Sequence, residues 1–154
     1  MRQNGKLQLR PARMADAVEL WHWRNDPETR AHSFQTRRIS LAVHRTWLKQ
    51  TLNDTKRKIF VAAQGSHNLG TIRFDFLPVS LIQVSIQVNP DLRGHGHGLR
   101  ILKKASDLMR RKYPRHFQKA MIKNSNRPSE KIFQSAGFIK IHEADAGYSV
   151  WIRS

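Results

Sequence analysis

A strand pattern that leads into a glycine-rich turn and then into a basic helical pattern constrains this chain more than any other feature. From Ile82 to Val88, apolar residues occupy every second position, as expected for a strand with one buried face. Arg93 and glycines at 94, 96 and 98 follow, immediately before the helical pattern. Without Cβ atoms the turn can approach a ligand closely, and the first free amides of a helix attract anions. The segment therefore predicts a site for a pyrophosphate, to which Arg93 would add a positive charge.

Two common phosphate-binding loops do not fit this turn. A Walker loop requires Gly-Lys-Ser/Thr where the chain has Gly98, Leu99 and Arg100, and a dinucleotide-binding fingerprint requires G-x-G-x-x-G where the chain has G-x-G-x-G. A glycine-rich turn that binds nothing is the remaining alternative at this point.

A second motif lies at residues 126–138. Asn126 is suited to cap a helix, and Ile132 and Phe133 lie on one apolar stripe along that helix. Gly137 is suited to the position that ends it. The segment therefore predicts a short capped helix.

Together these two segments resemble the motifs of GNAT-superfamily acyltransferases. Arg93, Gly96 and Gly98 match the family pattern Q/R-x-x-G-x-G/A, and residues 126–138 are similar to N-x-x-A/S-x-x-x-Y-x-x-x-G-F. The resemblance extends over the chain from about Leu7. It implies an α+β GNAT fold, in which helices flank a central, mixed, mostly antiparallel, twisted sheet with a V-shaped cofactor cleft.

Periodicity along the chain predicts elements in the order of a GNAT domain, β-α-α-β-β-β-α-β-α-β-β. The first helix has an apparent capping box in Asp16 and Glu19, and Ser40 is suited to cap the second. The predicted strands cover residues 7–11, 59–63, 71–76, 82–88, 118–122, 139–141 and 148–152, and the remaining helices begin near residues 98 and 126. We expect residues 1–6 to be an N-terminal tail and residues 7–154 to be the GNAT domain.

The resemblance implies acetyl-CoA as cosubstrate, bound where the strand at 82–88 separates from the strand at 118–122. Val88 would offer backbone groups to the pantetheine arm. The pyrophosphate would be held by Arg93, Gly94, His95, Gly96, His97 and Gly98, and the rest of the cofactor would meet Asn126, Ser129 and Phe133. The two histidines, without a carboxylate or thiolate, make a poor metal site, so no metal is expected.

The chain departs from the family pattern at two positions that often carry catalysis. Phe133 stands where the family often has a tyrosine that protonates the leaving thiolate, and Gln83 stands where it often has a glutamate base. We therefore expect catalysis mainly by positioning and carbonyl polarisation, with a water relayed by Ser85 or Gln83 taking the proton. Tyr148 is the best remaining acid if its strand faces the cleft, and the alternative is a packed aromatic of the tail strand.

These departures favour an acceptor amine with a low pKa. A lysine amine, with a pKa of about 10.4, is almost wholly protonated at pH 7, whereas a protein α-amine titrates at about 7.7–8.0 and a sugar-ring amine is acidified by its oxygens. The first half of the chain resembles a GNAT branch that acetylates nucleotide-linked deoxyamino sugars for surface glycans or flagellin. That resemblance implies an acceptor pocket bordered by Arg24, Asn25, Ser33, Arg73 and Asp75. Ordinary surface charges are the alternative for the two arginines.

The net charge of +17, from 28 Lys+Arg and 11 Asp+Glu, implies attraction to anionic partners. CoA and nucleotide sugars qualify, and so does nucleic acid. The candidate nucleic-acid face lies on the basic helix and comprises Arg100, Lys103, Lys104, Arg110, Arg111, Lys112 and Arg115. We favour the simpler interpretation that this is the solvated side of an amphipathic helix, because apolar residues recur on the other side and no nucleic-acid-binding motif accompanies the charge.

Composition narrows the remaining classes. The absence of cysteine excludes disulfides and a cysteine acyl-enzyme, and no apolar run is long enough for a membrane span or signal peptide, so we expect a cytoplasmic protein without a membrane partner. We expect an N-acetyltransferase that passes acetyl from acetyl-CoA to a primary amine of a nucleotide-activated amino sugar, by direct attack in a ternary complex. The alternatives are a protein N-terminal acetyltransferase of the ribosomal-protein type and an inactive basic nucleic-acid-binding module on the same fold. A homodimer is compatible with the sequence.

Overall fold

Seven strands of this chain form one mixed sheet, and helices pack on both of its faces. The computed structural model describes residues 5–154. Within them the strands are β1 (Gln8–Pro11), β2 (Arg57–Gln64), β3 (His67–Leu77), β4 (Leu81–Val88), β5 (Phe117–Lys123), β6 (Ile139–Ala144) and β7 (Tyr148–Arg153). The helices are α1 (Ala17–Asn25), α2 (Pro27–Ala31), α3 (Leu41–Asn53), α4 (His97–Lys112) and α5 (Arg127–Ser135), and two short 3₁₀ turns cover Met14–Asp16 and Pro90–Leu92.

The sheet has the strand order β1-β2-β3-β4-β5-β7-β6, and neighbouring strands are antiparallel except for the parallel pair β4 and β5. In the described structure, β4 pairs with β5 from Leu81 to Gln83, whereas it stays paired with β3 as far as Val88. The two parallel strands therefore diverge and open a cleft in the middle of the sheet. This architecture confirms the predicted α+β fold with a mixed, mostly antiparallel sheet.

The apolar side of α4 is buried against the sheet through Ile101, Leu102, Ala105 and Met109. All seven basic residues of the candidate nucleic-acid face are exposed. Helical spacing explains both observations, because residues three and four apart share one side of a helix. The basic segment is therefore an amphipathic surface helix. No helix among residues 5–154 is long and apolar enough to cross a membrane.

The opposite face of the sheet packs against α3, which in turn contacts α1. This smaller cluster of buried residues includes Leu48 of α3 and Ile59 of β2. Because side chains alternate along a strand, Gln83, Ser85 and Gln87 of β4 belong to this second face. The polar side of β4 thus lies toward the helices of the N-terminal half.

Local capping signals decide where two of the helices begin. The Ser40 hydroxyl accepts a hydrogen bond from the Val43 amide (3.2 Å) at the start of α3. The Asn126 side-chain oxygen accepts one from the Ser129 amide (3.2 Å) at the start of α5, which ends before Gly137 at a φ of +94°. These contacts confirm the predicted caps.

The predicted cap of the first helix is wrong. The Asp16 carboxylate accepts two hydrogen bonds from the Arg10 guanidinium (both 2.8 Å) and one from the Arg13 amide (2.9 Å), and none from the amides of α1 among the described residues. The physical reason is that a 3₁₀ turn leads directly into α1. Asp16 therefore already has a helical backbone conformation, not the extended conformation of a cap.

A short helix that the sequence analysis did not predict follows α1. Pro27 ends α1 as expected, but it also begins α2, because proline fits the first position of a helix, where its missing N–H loses no bond. The Asp26 carboxylate caps α2 by accepting a hydrogen bond from the Thr29 amide (3.0 Å).

Residues 1–4 of the predicted N-terminal tail lie outside the described residues. At residue 5 the chain already contacts the sheet, since the Gly5 carbonyl accepts a hydrogen bond from the Gln64 side chain (2.8 Å). Leu7 is buried, and β1 begins at the next residue.

Candidate active site

The glycine-rich turn between β4 and α4 has a backbone conformation that glycine adopts more readily than other residues. The φ angle is +81° at Gly94 and +78° at Gly96, which is the N-terminal cap of α4. A Cβ atom added to either residue would meet no described atom within 4 Å. The space beside the turn is therefore open. The first amides of α4 have no hydrogen-bond acceptor in that space. This arrangement suits a diphosphate.

Gly98 is needed for packing rather than for backbone conformation. A Cβ atom at this position would lie 2.9 Å from Cδ1 of Ile132 on α5 and 3.3 Å from Cγ2 of Val88 on β4. Contacts this close show that the end of β4, the start of α4 and α5 converge. The structure thus brings the two sequence motifs together.

The Arg93 side chain is already paired in this structure. Its Nη2 atom donates hydrogen bonds to the Asp26 carboxylate (2.6 Å) and the Thr29 hydroxyl (2.7 Å), and its Nη1 atom lies 3.0 Å from the Glu28 carboxylate. The guanidinium therefore ties the turn to α2. Its predicted contact with pyrophosphate stays a prediction.

The rings of His95 and His97 lie 6.1 Å apart beside the turn. Burial, followed by the charge of Arg100 and by His95, lowers the pKa of His97. Among residues 5–154, no group of three or more His, Cys, Asp or Glu side chains is arranged to hold a metal ion.

A cleft of about 520 Å³ lies where β4 and β5 diverge, and its lining reaches α1 and α3. This volume is in the usual range of small-molecule sites. The lining includes eight residues that the sequence analysis singled out: Arg24, Ser33, Arg73, Gln83, Ser85, Asn126, Ser129 and Phe133. Val88 and residues 93–98 lie beyond the lining, at the end of β4. Three of the five predicted acceptor residues, the polar face of β4 and the start of α5 therefore meet in one place.

Two predicted acceptor residues, Asn25 and Asp75, lie outside the cleft lining and support it. Asn25 exchanges two hydrogen bonds with the backbone of Ile39 (2.8 and 2.9 Å), which fixes the loop between α2 and α3. Asp75 accepts hydrogen bonds from Arg57 (3.1 Å) and Arg73 (3.0 Å). Both side chains are therefore engaged in positioning other parts of the cleft.

The two aromatic candidates occupy different positions. Phe133 is 2% exposed and packs edge-on against Phe138, with 4.9 Å between ring centres, so it gives the cleft an apolar wall. Tyr148 packs edge-on against Phe34 (5.6 Å), and Phe34 lines the cleft. Tyr148 therefore lies behind the lining, and its role as an acid stays a prediction.

The charged side chains that line the cleft are positive, although Asp75, outside the lining, is paired with Arg73 (3.0 Å). Arg24 and Arg73 line the cleft, and within residues 5–154 no Asp or Glu side chain does. Arg24 donates from Nη2 to the Gln35 carbonyl (2.8 Å), while its Nη1 atom is buried without a hydrogen-bond partner in the described structure. Burial and the charge of Arg30 lower the pKa of Arg24. The Arg73 guanidinium lies 5.6 Å from the centre of the Trp47 ring.

His44, which was not among the predicted site residues, also lines the cleft from α3. This side chain is 3% exposed, its ring lies 5.4 Å from that of Trp47, and neither ring nitrogen has a hydrogen-bond partner among the described residues. Burial and the charge of Arg24 lower the pKa of His44, so the imidazole is neutral at pH 7. The signal in the sequence was its spacing, because His44 shares the buried side of α3 with Leu48 and Thr51.

Residues 6–139 match the family model described as the acetyltransferase (GNAT) domain. The chain belongs to the GNAT acetyltransferase family. This GNAT enzyme is an acyltransferase, and acetyl-CoA is its cosubstrate. Membership favours the transferase over the alternative of an inactive nucleic-acid-binding module. No curated protein sequence is similar enough to the chain to count as a relative.

Solved acetyltransferase structures share the fold of this GNAT enzyme. Spermidine N-acetyltransferase from Vibrio cholerae, in complex with CoA and spermine, superposes with a TM-score of 0.84 at 14% identity, over 95% of this chain and 92% of that chain. The aminoglycoside acetyltransferase AAC(6')-Ib with coenzyme A gives 0.80 at 14% identity, over 97% and 95%. The ribosomal L7/L12 alpha-N-protein acetyltransferase RimL with coenzyme A gives 0.82 at 11% identity, over 99% and 96%. At these identities the likeness establishes the fold and leaves the acceptor open.

Proposed function

We propose that this GNAT enzyme acetylates the primary amine of an acceptor that also carries negative charge, and that the acceptor is a nucleotide-linked amino sugar. One observation carries the proposal: the described lining of the cleft contains two arginines and no carboxylate. The net charge of +17 acts in the same direction, because it raises the local concentration of anionic substrates.

Arg24 is the residue of the cleft that is best suited to bind an anion. In the described structure its Nη1 atom is buried without an acceptor, and Gln87 has a second buried donor without a partner, Nε2, in the same cleft. Burying an unpaired charge is unfavourable, and a phosphate oxygen would supply the missing acceptor with a charge-assisted hydrogen bond.

Arg24, whose guanidinium has no carboxylate partner in the described structure, also disfavours polycationic acceptors. An ammonium group within about 5 Å of a guanidinium would be repelled by roughly 1–3 kcal/mol. Spermidine and aminoglycosides carry several such groups, and the described cleft offers them no carboxylate. We therefore expect them to be poor acceptors for this enzyme.

The cofactor would occupy the other side of the cleft. The open amides of the glycine-rich turn and the start of α4 would hold the pyrophosphate, aided by the helix dipole. Beyond Gln83 the β4 amides that would face β5 have lost their sheet partner, so they are available to the pantetheine arm and to the thioester carbonyl. In this arrangement Gln83 and Ser85 lie beside the reacting groups, where they can hold a water.

A thiol-release assay with acetyl-CoA tests the proposal. The acceptors are UDP- and dTDP-linked 4-amino-4,6-dideoxyhexoses, the same sugars without the nucleotide, a peptide with a free N-terminus, spermidine and kanamycin, and each product is identified by mass. We expect kcat/KM for a nucleotide-linked sugar to exceed that for spermidine at least 100-fold. Preferred acetylation of the peptide would instead support the alternative of a protein N-terminal acetyltransferase, and preference for spermidine or kanamycin would refute an anionic acceptor.

A further inference from the structure

The cleft lacks the groups that usually take a proton from an acceptor amine. Within residues 5–154 its lining offers no carboxylate, thiol or phenol. The ionisable side chains that line it are Arg24, Arg73, His32 and His44. Arginine stays protonated at any working pH, so the histidines are the remaining bases.

His44 and His32 differ in how they are held. His32 follows α2 and is half-buried on a loop, whereas His44 is 3% exposed on a 13-residue helix. Both nitrogens of His44 lack a hydrogen-bond partner in the described structure, which is unfavourable for a buried polar ring unless a ligand supplies the partner. His44 therefore has the rigidity and the unused hydrogen-bonding capacity of a group that acts on a substrate.

We propose that His44 is the general base of the acetyl transfer. The amine nitrogen attacks the thioester carbonyl carbon and forms the C–N bond, the C–S bond breaks, and its electron pair leaves with the sulfur as the CoA thiolate. The proton lost by the nitrogen passes to an imidazole nitrogen of His44, and the imidazolium returns it through solvent to the thiolate. The products are the amide and the CoA thiol, and no further reactant is needed.

The placement of His44 fits this step. The cleft that it lines also contains residues 84–87 of β4, where the strand has parted from β5 and would bind the thioester. An acceptor between α3 and β4 would therefore have its amine between the imidazole and the acetyl group. Positioned bases of this kind contribute about 10²–10⁴-fold to a rate.

The charged groups around His44 set its protonation state. They are Arg24 from α1, Arg73 from β3, His32 from the loop after α2 and, beyond the Trp47 ring, Arg57 from β2; the Asp75 carboxylate pairs with both Arg57 and Arg73. Burial and Arg24 lower the pKa of His44, which leaves it neutral and able to accept a proton. If the acceptor has a phosphate, as the proposed function holds, its charge would offset that of Arg24 and make the imidazole a stronger base when the acceptor is bound.

The test compares His44→Gln with His142→Gln, a control at an exposed histidine of β6, using the best acceptor of the panel above. We expect His44→Gln to lower kcat about 100-fold or more, with an unchanged calorimetric Kd for acetyl-CoA. Because both the neutral imidazole and the neutral amine are required, log kcat/KM of the wild type should rise with a slope approaching two below the pKa of His44, whereas the variant should keep only the slope of one that the amine contributes. In His44→Ala, added imidazole should restore part of the rate.

A His44→Gln enzyme with kcat within about threefold of wild type, or with a raised KM and the same acid-side slope as wild type, would overturn the base role. A titration of the His44 ring by NMR in the wild-type enzyme with acetyl-CoA needs no variant. A ring that stays protonated through about pH 8 would also overturn it, because it could not accept a proton. These results do not depend on which acceptor of the panel has the highest kcat/KM. This inference and the proposed function can therefore fail separately.

Discussion

Replacing Gly96 by Asp and by Ala separates the two roles of the glycine-rich turn. Both variants force a residue with a side chain to a φ of +78°, and neither side chain would meet a described atom at the Cβ position. The left-handed conformation costs such a residue roughly 1–2 kcal/mol. Because Asp adopts the left-handed conformation more readily than most residues with a side chain, Asp should be tolerated at least as well as Ala. Differences in folding therefore cannot explain weaker cofactor binding by the Asp variant.

Charge, in contrast, distinguishes the two Gly96 variants. A carboxylate about 6 Å from each of two phosphate charges is repelled by roughly 0.7 kcal/mol per charge in water and by about 2.8 kcal/mol at an effective dielectric constant of 20. The total of about 1.4 kcal/mol or more corresponds to at least about a tenfold increase in Kd. Salt should reduce this difference, because it screens exposed charges.

The assay for the Gly96 variants is calorimetric titration with acetyl-CoA at low and high salt, with thermal denaturation of each apo protein alongside. We expect Gly96→Asp to bind acetyl-CoA at least tenfold more weakly than Gly96→Ala does. This difference in Kd should become smaller at high salt. Equal affinities for the two folded variants would show that the turn does not hold the diphosphate.

Three further substitutions test other parts of the structure. Arg24→Met should lower kcat/KM for a nucleotide-linked sugar about 30-fold or more while the Kd for acetyl-CoA stays constant, and an unchanged kcat/KM would remove Arg24 from the acceptor site. Gly98→Val should lower the free energy of unfolding by about 1–3 kcal/mol relative to Gly98→Ala in urea titrations, because a Cβ at this position lies 2.9 Å from the end of the flexible Ile132 side chain, which can move aside for one methyl group but not for a branched side chain; a Val variant as stable as the Ala variant would contradict the close packing. Asp16→Asn should lower the free energy of unfolding by about 2–3 kcal/mol at pH 7. Although burial alone would raise the pKa of Asp16, hydrogen bonds from the Arg10 side chain and the Arg13 amide hold it below its usual value. The loss in Asp16→Asn should therefore be full above about pH 5 and shrink as the pH falls through the folded-state pKa, and a pH-independent loss would refute the pairing.

Much of the fold was predictable because its signals are local. The alternation from Ile82 to Val88 requires a strand with two different faces, and the structure buries Ile82 and Val84 while Gln83 and Ser85 line the cleft. The caps of α3 and α5 follow from single side chains that satisfy amides three residues away. Such features depend on neighbours in the chain, so they can be read without the tertiary structure.

Predictions about individual side chains of the site were less complete, because their partners are distant in the chain. The sequence marks Arg93 as a charge beside a glycine-rich turn, but α2, an unpredicted helix, supplies its carboxylate partners. Asn25 and Asp75 were expected to border the acceptor, which stays a prediction, and the fold engages them with Ile39 and with two arginines. Each of these contacts exists because packing of the whole chain brings the groups together.

The amino-acid sequence by itself determined the order of the elements other than α2, the glycine-rich turn before α4 and the family to which those motifs belong, since periodicity and spacing are properties of the linear chain. The tertiary structure alone decided the character of the acceptor cleft. It gathers Arg24, Arg73 and His44 from three elements into one lining without a carboxylate among the described residues. It also buries polar atoms of Arg24 and His44 without partners there. Burial changes the energy of a charge or a hydrogen bond, and burial is set by the fold rather than by the sequence pattern.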